Sequence, residues 1–202
     1  LWVSTFNHQL AVMTTECPQS QCDVEKKFDK SLSSTFKPIT DSNGQQLDVT
    51  IVSRFLNKGN LADTVFTGKE AQEVFTMQYA QYDRQTTFTA TFIPIHASSA
   101  IVTSEYNGLI GIKPYFSLPE SMQEQNMLYR TKKYGFIDHM IVSIYIDATP
   151  GNHSLVKIGS WDQVAIEEGK SLQMIRCKTN QNWILSATQV TFAGDNVFEP
   201  IK

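Results

Sequence analysis

Cys17 and Cys22 are the most closely spaced of the three cysteines in this 202-residue chain, enclosing only Pro18-Gln19-Ser20-Gln21. A polar, turn-forming loop of this length is one that a local disulfide can close. An oxidised pair implies a secretory or endolysosomal compartment. Zinc is the rival reading, but no second Cys or His pair stands at zinc-finger spacing and His8, His96, His139 and His153 are scattered. No metal ligands and no cofactor are therefore assigned. Cys177 and His139 make the one remaining nucleophile-and-base pairing, for which an inert thiol is the simpler account. A Gly-x-Ser-x-Gly elbow, a His-Glu-x-x-His motif and a phosphate-binding glycine loop are all absent. Asn152-His153-Ser154 is the only N-glycosylation sequon, which makes Asn152 a candidate acceptor.

Composition narrows the classes further. A hydrophobic content of 41%, with 11% aromatic residues, is enough to bury a sizeable core. The net charge of -3 supplies no basic face for a phosphate backbone, so nucleic acid is not an expected partner. The longest basic cluster is Arg130, Lys132 and Lys133. No apolar run approaches the roughly 20 residues that span a bilayer, so no membrane segment is expected in this chain. Any signal peptide is expected upstream of Leu1.

The elements that position these residues read mainly as β-strands. Leu47, Val49 and Ile51 alternate with Asp48 and Thr50, and Phe88, Ala90 and Phe92 alternate with threonines, the pattern of half-buried strands. Further strands are predicted at 74–79, 141–146, 154–158, 172–177 and 183–192, separated by Gly, Pro, Asn or Asp. One segment differs. Ser117 and Glu120 form a capping box around Pro119, and the run to Gly135 predicts a helix with acids in its first turns and Arg130, Lys132 and Lys133 in a solvated last turn. The turn residues of 148–152 mark a boundary between a unit at 1–147 and another at 148–202.

Several short motifs then occur in the order found in pepsin-like aspartic proteases. Leu1-Trp2-Val3 resembles the strand that follows that family's first Asp-Thr-Gly-Ser-Ser motif, with Ser4 in place of proline. Phe28-Asp29 and Ser33-Ser34-Thr35-Phe36 resemble its Phe-x-Pro-x-x-Ser-Ser-Thr-Phe stretch, and Asp63-Thr64-Val65 with Gly68 resembles the strand leaving the flap. Asn107-Gly108-Leu109-Ile110-Gly111-Ile112 is similar to Asp-Gly-Ile-Leu-Gly-Leu and is the most specific match. Val142-Ser143-Ile144-Tyr145-Ile146, the run from Leu155 to Asp162, Trp183-Ile184-Leu185 and Val190-Thr191-Phe192 continue the series.

The resemblance implies a bilobal, mainly β fold. Residues 1–147 would form the remainder of the N-terminal lobe, with its flap hairpin and connecting-sheet strand, and 148–202 the first strands of the C-terminal lobe. It matches Cys17 and Cys22 to the family's small disulfide loop. It implies an aspartic endopeptidase acting on an extended polypeptide, secreted or endolysosomal/vacuolar. Neither Asp-Thr-Gly nor Asp-Ser-Gly occurs in the sequence, so both catalytic aspartates are expected outside the chain. Asp63, Asp138 and Asp162 match structural or surface positions, and Glu167-Glu168 reads as a solvated turn. Counting back from Asp63 puts the family's flap tyrosine on Ile51, with Val52-Ser53-Arg54-Phe55 in place of the small tip residues and Gly59 on the return strand. Trp2, the partner of that tyrosine, and Asn107, where the family has Asp, complete the cleft candidates. An alternative is a catalytically inactive relative that binds a partner through the same cleft. An unrelated β binding module is a third reading, and it does not need the Cys17–Cys22 bond.

Overall fold

The computed structural model describes residues 2–57, 60–78, 85–103, 107–114, 118–146, 155–161, 166, 168–171, 177, 183, 190–192 and 195–198. The strands are β1 (Trp2–Ser4), β2 (Leu10–Met13), β3 (Cys22–Asp23), β4 (Lys37–Pro38), β5 (Asp48–Asn57), β6 (Asn60–Lys69), β7 (Ala71–Gln78), β8 (Gln85–Ser98), β9 (Val102–Thr103) and β10 (Gly108–Gly111). Two short helices follow, α1 (Glu120–Gln123) and α2 (Met127–Lys133). The chain continues through β11 (Val142–Tyr145), β12 (Leu155–Ile158), β13 (Val190–Phe192) and β14 (Asp195–Phe198).

Eight strands share one curled sheet whose main path runs β1-β10-β2-β8-β6-β5, with β7 on β8 and β4 on β7. β8 is the spine because its 14 residues pair with different partners along their length. Its first half pairs with β7 from Gln78↔Gln85 to Ala71↔Phe92. Its second half pairs with β2 through Ala11↔Ile93 and Met13↔Ile95, and with β6 through Phe66↔Ser98 and Gly68↔Ile95. Pro94 has no backbone N–H to donate, and the β6–β8 register shifts beside it, between Thr67 and Gly68.

The two-residue period read from the sequence decides what is buried. Phe88, Ala90 and Phe92 lie inward at 7%, 2% and 1% exposure. Phe28 and Phe36 pack on Phe92, the former edge-on at a ring distance of 5.5 Å. A second cluster joins Met13, Ile51, Phe66, Ile93, Ile95 and Leu109 to the disulfide half-cystines.

Between Phe28 and Phe36 the chain folds back onto β7, where the buried Glu73 accepts hydrogen bonds from the hydroxyls of Ser33, at 2.6 Å, and Thr35. Burial alone would raise the Glu73 carboxyl, but these two hydroxyls and the Val74 amide outweigh it and hold the group below the ordinary glutamate value. A depressed folded-state value favours the ionised fold. Its stabilisation is present above the unfolded value near 4.5 and is lost as pH falls through the lower folded value. Glu73→Gln should therefore cost about 1–2 kcal/mol at neutral pH, and the gap to the parent should close in acid. Thermal melts from neutral to acid pH check this, and parallel curves for the two proteins would contradict it.

The expected single helix at 117–135 is two helices. Asn126 is extended at φ -83 and ψ 119, and its side chain caps α2 by accepting from the Tyr129 amide. Pro119 stands at the N-cap of α1, and Ser117 of the predicted capping box lies outside the described residues. Gly135, at φ 73, ends α2 as expected. Lys132 and Lys133 are exposed in the last turn, but Arg130 is 5% exposed and is no part of a solvated helix end.

The strands predicted at 74–79, 141–146 and 154–158 correspond to β7, β11 and β12. Of 172–177 only Cys177 is described, and of 183–192 only Trp183 and β13. The boundary predicted after 147 falls in 147–154, outside the described residues, and β11 and β12 on either side of it pair antiparallel.

Candidate functional site

Backbone bonds hold the crossing of β10 with the first two strands closely. β10 lies between β1 and β2, parallel to the first through Trp2↔Leu109 and antiparallel to the second through Leu109↔Ala11. The segment from Ser4 to Gln9 links the two outer strands and must pass across β10. It does so at Gly111. The Gly111 amide donates to the Gln9 carbonyl at 2.8 Å, Ile112 to Ser4 at 2.8 Å, and Lys113 to Asn7 at 2.9 Å. The Ser4 hydroxyl accepts from the Asn7 amide and side chain, closing the turn internally. The Trp183 indole donates to the Ile112 carbonyl at 3.0 Å, tying a late part of the chain to the same point.

Asn107 leads into β10. It is half-buried, and its carbonyl accepts from the Met13 amide at 2.8 Å. Trp2 is on β1, and its side chain lies outside the described residues.

The hairpin β5–β6 lies at the other end of the sheet's main path. Ten residue pairs join its strands, from Asp48↔Lys69 to Asn57↔Asn60. β8 pairs with β6 only at Phe66–Gly68, with Ser99 bonding to Val65 just beyond. Among the described residues, Asn60–Thr64 pair with β5 alone, so the outer half of the hairpin extends past the sheet.

Several cleft candidates fall elsewhere on this hairpin than expected. Ile51 is 2% exposed and opposite Phe66 in the core, midway along β5. Val52, Ser53, Arg54 and Phe55 are strand residues and not the turn, because pairing continues to Asn57. Strand alternation sets their sides: Val52 is 53% exposed, while Ser53 is buried opposite the buried Thr64. Arg54 and Phe55 pair with Asp63 and Ala62, and their side chains lie outside the described residues, as does Gly59.

The disulfide joins Cys17 and Cys22, both buried in the main core. Cys22 begins β3, which pairs with β9, and the Lys27 ammonium donates to the Cys17 carbonyl at 2.9 Å. Cys177 is half-buried and carries no disulfide, and His139 is exposed. Asp63, Asp138 and Glu168 are exposed; Asn152, Asp162 and Glu167 lie outside the described residues. Among the described residues no three His, Cys, Asp or Glu side chains gather as a metal site requires, and no helix is long and apolar enough to cross a membrane.

The sequence reading missed the polar groups around α2, of which Asn126 and Gln125 reach the crossing. Asn126 is wholly buried and donates from Nδ2 to the Lys113 carbonyl at 2.9 Å. Arg130 donates to the Thr91 hydroxyl at 2.8 Å and the Thr89 carbonyl at 2.9 Å. Gln125 bridges His8 and Glu70. Burial pushes the Glu70 carboxyl up and the His8 imidazole down, the latter against the raising effect of the hydrogen bond that the ring donates to Gln125 Oε1. Asn126, directly ahead of an apolar helical run, was a usable N-cap signal. The other contacts join residues too distant in sequence for any local pattern to mark.

A family model described as eukaryotic aspartyl protease matches residues 1–201. No curated protein matches the chain.

Proposed function

Because this chain belongs to the eukaryotic aspartyl protease family, we propose that it is the scaffold of a pepsin-like endopeptidase cleft, with both catalytic aspartates supplied by sequence beyond these 202 residues. The observation that carries this reading is the crossing of β10 between β1 and β2, in one sheet with a hairpin that extends past it. A rigid platform with an overhanging arm suits an extended polypeptide, which the arm would cover. Oxidation of Cys17 and Cys22 supports a secretory or endolysosomal/vacuolar setting.

In the family's reaction two facing carboxylates share one proton, because like charges so close cannot both ionise. The ionised one takes a proton from a water held between them as that water attacks the peptide carbonyl. The protonated one donates to the oxygen that gains charge. This chain's part is positional: the Ser4–Gln9 turn, pinned by Gly111, Ile112 and Lys113, fixes where β1 stands.

A second reading, a relative that binds without cleaving, is favoured by two residues. Ile51 fills the core where the family's tyrosine is expected, and Asn107 replaces an aspartate. The parent protein, with the sequence flanking Leu1 and Lys202, decides between them. Asp-Thr-Gly or Asp-Ser-Gly on both sides, with acid-pH cleavage of a denatured protein that a statine-type transition-state mimic blocks, is the expected result. Absence of either triplet, or cleavage untouched by the mimic, would reject the endopeptidase.

A further inference from the structure

The face of β7–β8 opposite the aromatic core forms a groove that the cleft reading does not use. Two-residue alternation and the register put Gln72 and Val74 on this face beside Thr91 and Thr89, with Thr87 following. The end of α2 walls it with Arg130 and Tyr134, and Phe136 stands beyond. Two adjoining cavities of about 350 and 510 Å³ lie along it and share Gln72, Arg130 and Tyr134. Each falls in the range of roughly 300–1,000 Å³ typical of small-ligand sites.

The lining selects the ligand. Threonine hydroxyls and glutamine amides both donate and accept, which matches a molecule whose own polar groups are mostly hydroxyls. Tyr134 and Phe136, 53% and 36% exposed, offer apolar ring surface beside them. The charges leave no surplus for an anion. Arg130 is engaged by Thr91 and Thr89 and lies 4.0 Å from Glu124, and Glu70 adds a second acid. The Thr89 carbonyl accepts from Arg130, so it is not free for the main-chain pairing that a peptide strand would need. We propose that this groove binds a neutral oligosaccharide, its hydroxyls on Gln72 and the threonine row and one sugar ring against Tyr134 or Phe136.

Saturation-transfer NMR on the full chain tests this with three probes: maltotriose, cellotriose and triacetylchitotriose. At least one should receive transfer at its ring C–H protons. Tyr134→Ala should weaken binding at least tenfold, and Tyr134→Phe should retain it. Circular dichroism confirms that each variant folds; if Tyr134→Ala does not, Gln72→Ala and Thr89→Val make the same comparison. A parallel arm uses a high-mannose glycoprotein with and without its glycan. Glycan-dependent binding there supports the groove with a protein-borne ligand, and trisaccharide binding supports it with a free one. No binding by any probe, binding that the groove variants leave unchanged, or displacement of a bound sugar by a short unstructured peptide would overturn the proposal.

Discussion

Gly111→Ala is expected to destabilise the chain by about 3 kcal/mol, at the upper end of overpacking costs. A Cβ at Gly111 would stand 2.5 Å from the Asn7 carbonyl oxygen, 2.6 Å from the Asn7 carbonyl carbon and 2.7 Å from that of His8. All three are backbone atoms, so no side chain can rotate away. The turn cannot retreat cheaply either, because the Ser4, Asn7 and Gln9 carbonyls are held by amides of Gly111, Ile112 and Lys113. Relief of the overlap stretches those bonds and shifts β1 away from β10. Gly44→Ala is the contrast. Its surroundings are open, and only its positive φ of 75 resists a side chain, so about 1 kcal/mol is expected there. Urea unfolding measures both. A Gly111→Ala cost no larger than that of Gly44→Ala would mean that the crossing is not tight.

Asn126→Ala should cost a similar amount, about 3 kcal/mol, from two separate losses. One is the cap: the α2 amide of Tyr129 loses its acceptor Oδ1 at 3.0 Å. The other is the Lys113 carbonyl, which loses the Nδ2 donor of the wholly buried Asn126 and gains none from alanine. Asn126→Asp separates the two. It keeps an acceptor for Tyr129 but sets a carboxylate oxygen against the Lys113 carbonyl in a buried place. At neutral pH it should be at least as unstable as the alanine variant, and it should recover in acid, once a carboxylic O–H can donate to Lys113. Chemical denaturation at neutral and acid pH checks this. An Asp variant as stable as the parent at neutral pH would show that the Lys113 bond contributes nothing.

These two residues also mark how far the sequence could be read. Alternation placed β5 and β8, since Phe88, Ala90 and Phe92 face the core while Thr89 between them is exposed. Gly108-Leu109-Ile110-Gly111 was legible as a motif, but its physical reason was not. The atoms that exclude a side chain at Gly111 belong to Asn7 and His8, about a hundred residues earlier. The hairpin was anticipated and its turn misplaced. Counting from a family motif set the turn near Val52–Phe55, while the strand pairing runs on to Asn57. The helix was misread for a local reason: Asn126 competes for the backbone as a cap, and that splits one helical run into two. Arg130 was read by its charge, and its burial follows from Thr89 and Thr91 on another element.

The insertion of β10 between β1 and β2 also governs the order in which the chain can mature. Trp2 has its parallel partner in Leu109, so the first strand stays without this neighbour until about a hundred further residues have been made. At synthesis rates of about 5–20 residues per second, that wait is on the order of 5–20 s. Closing so large a loop carries its entropy cost before any contact repays it, which makes the docking of β1 a slow, late step. During the delay β10's place beside β2 is empty, and the nascent chain exposes a template for wrong pairing. A factor that shields strands from one another during synthesis would act on this interval.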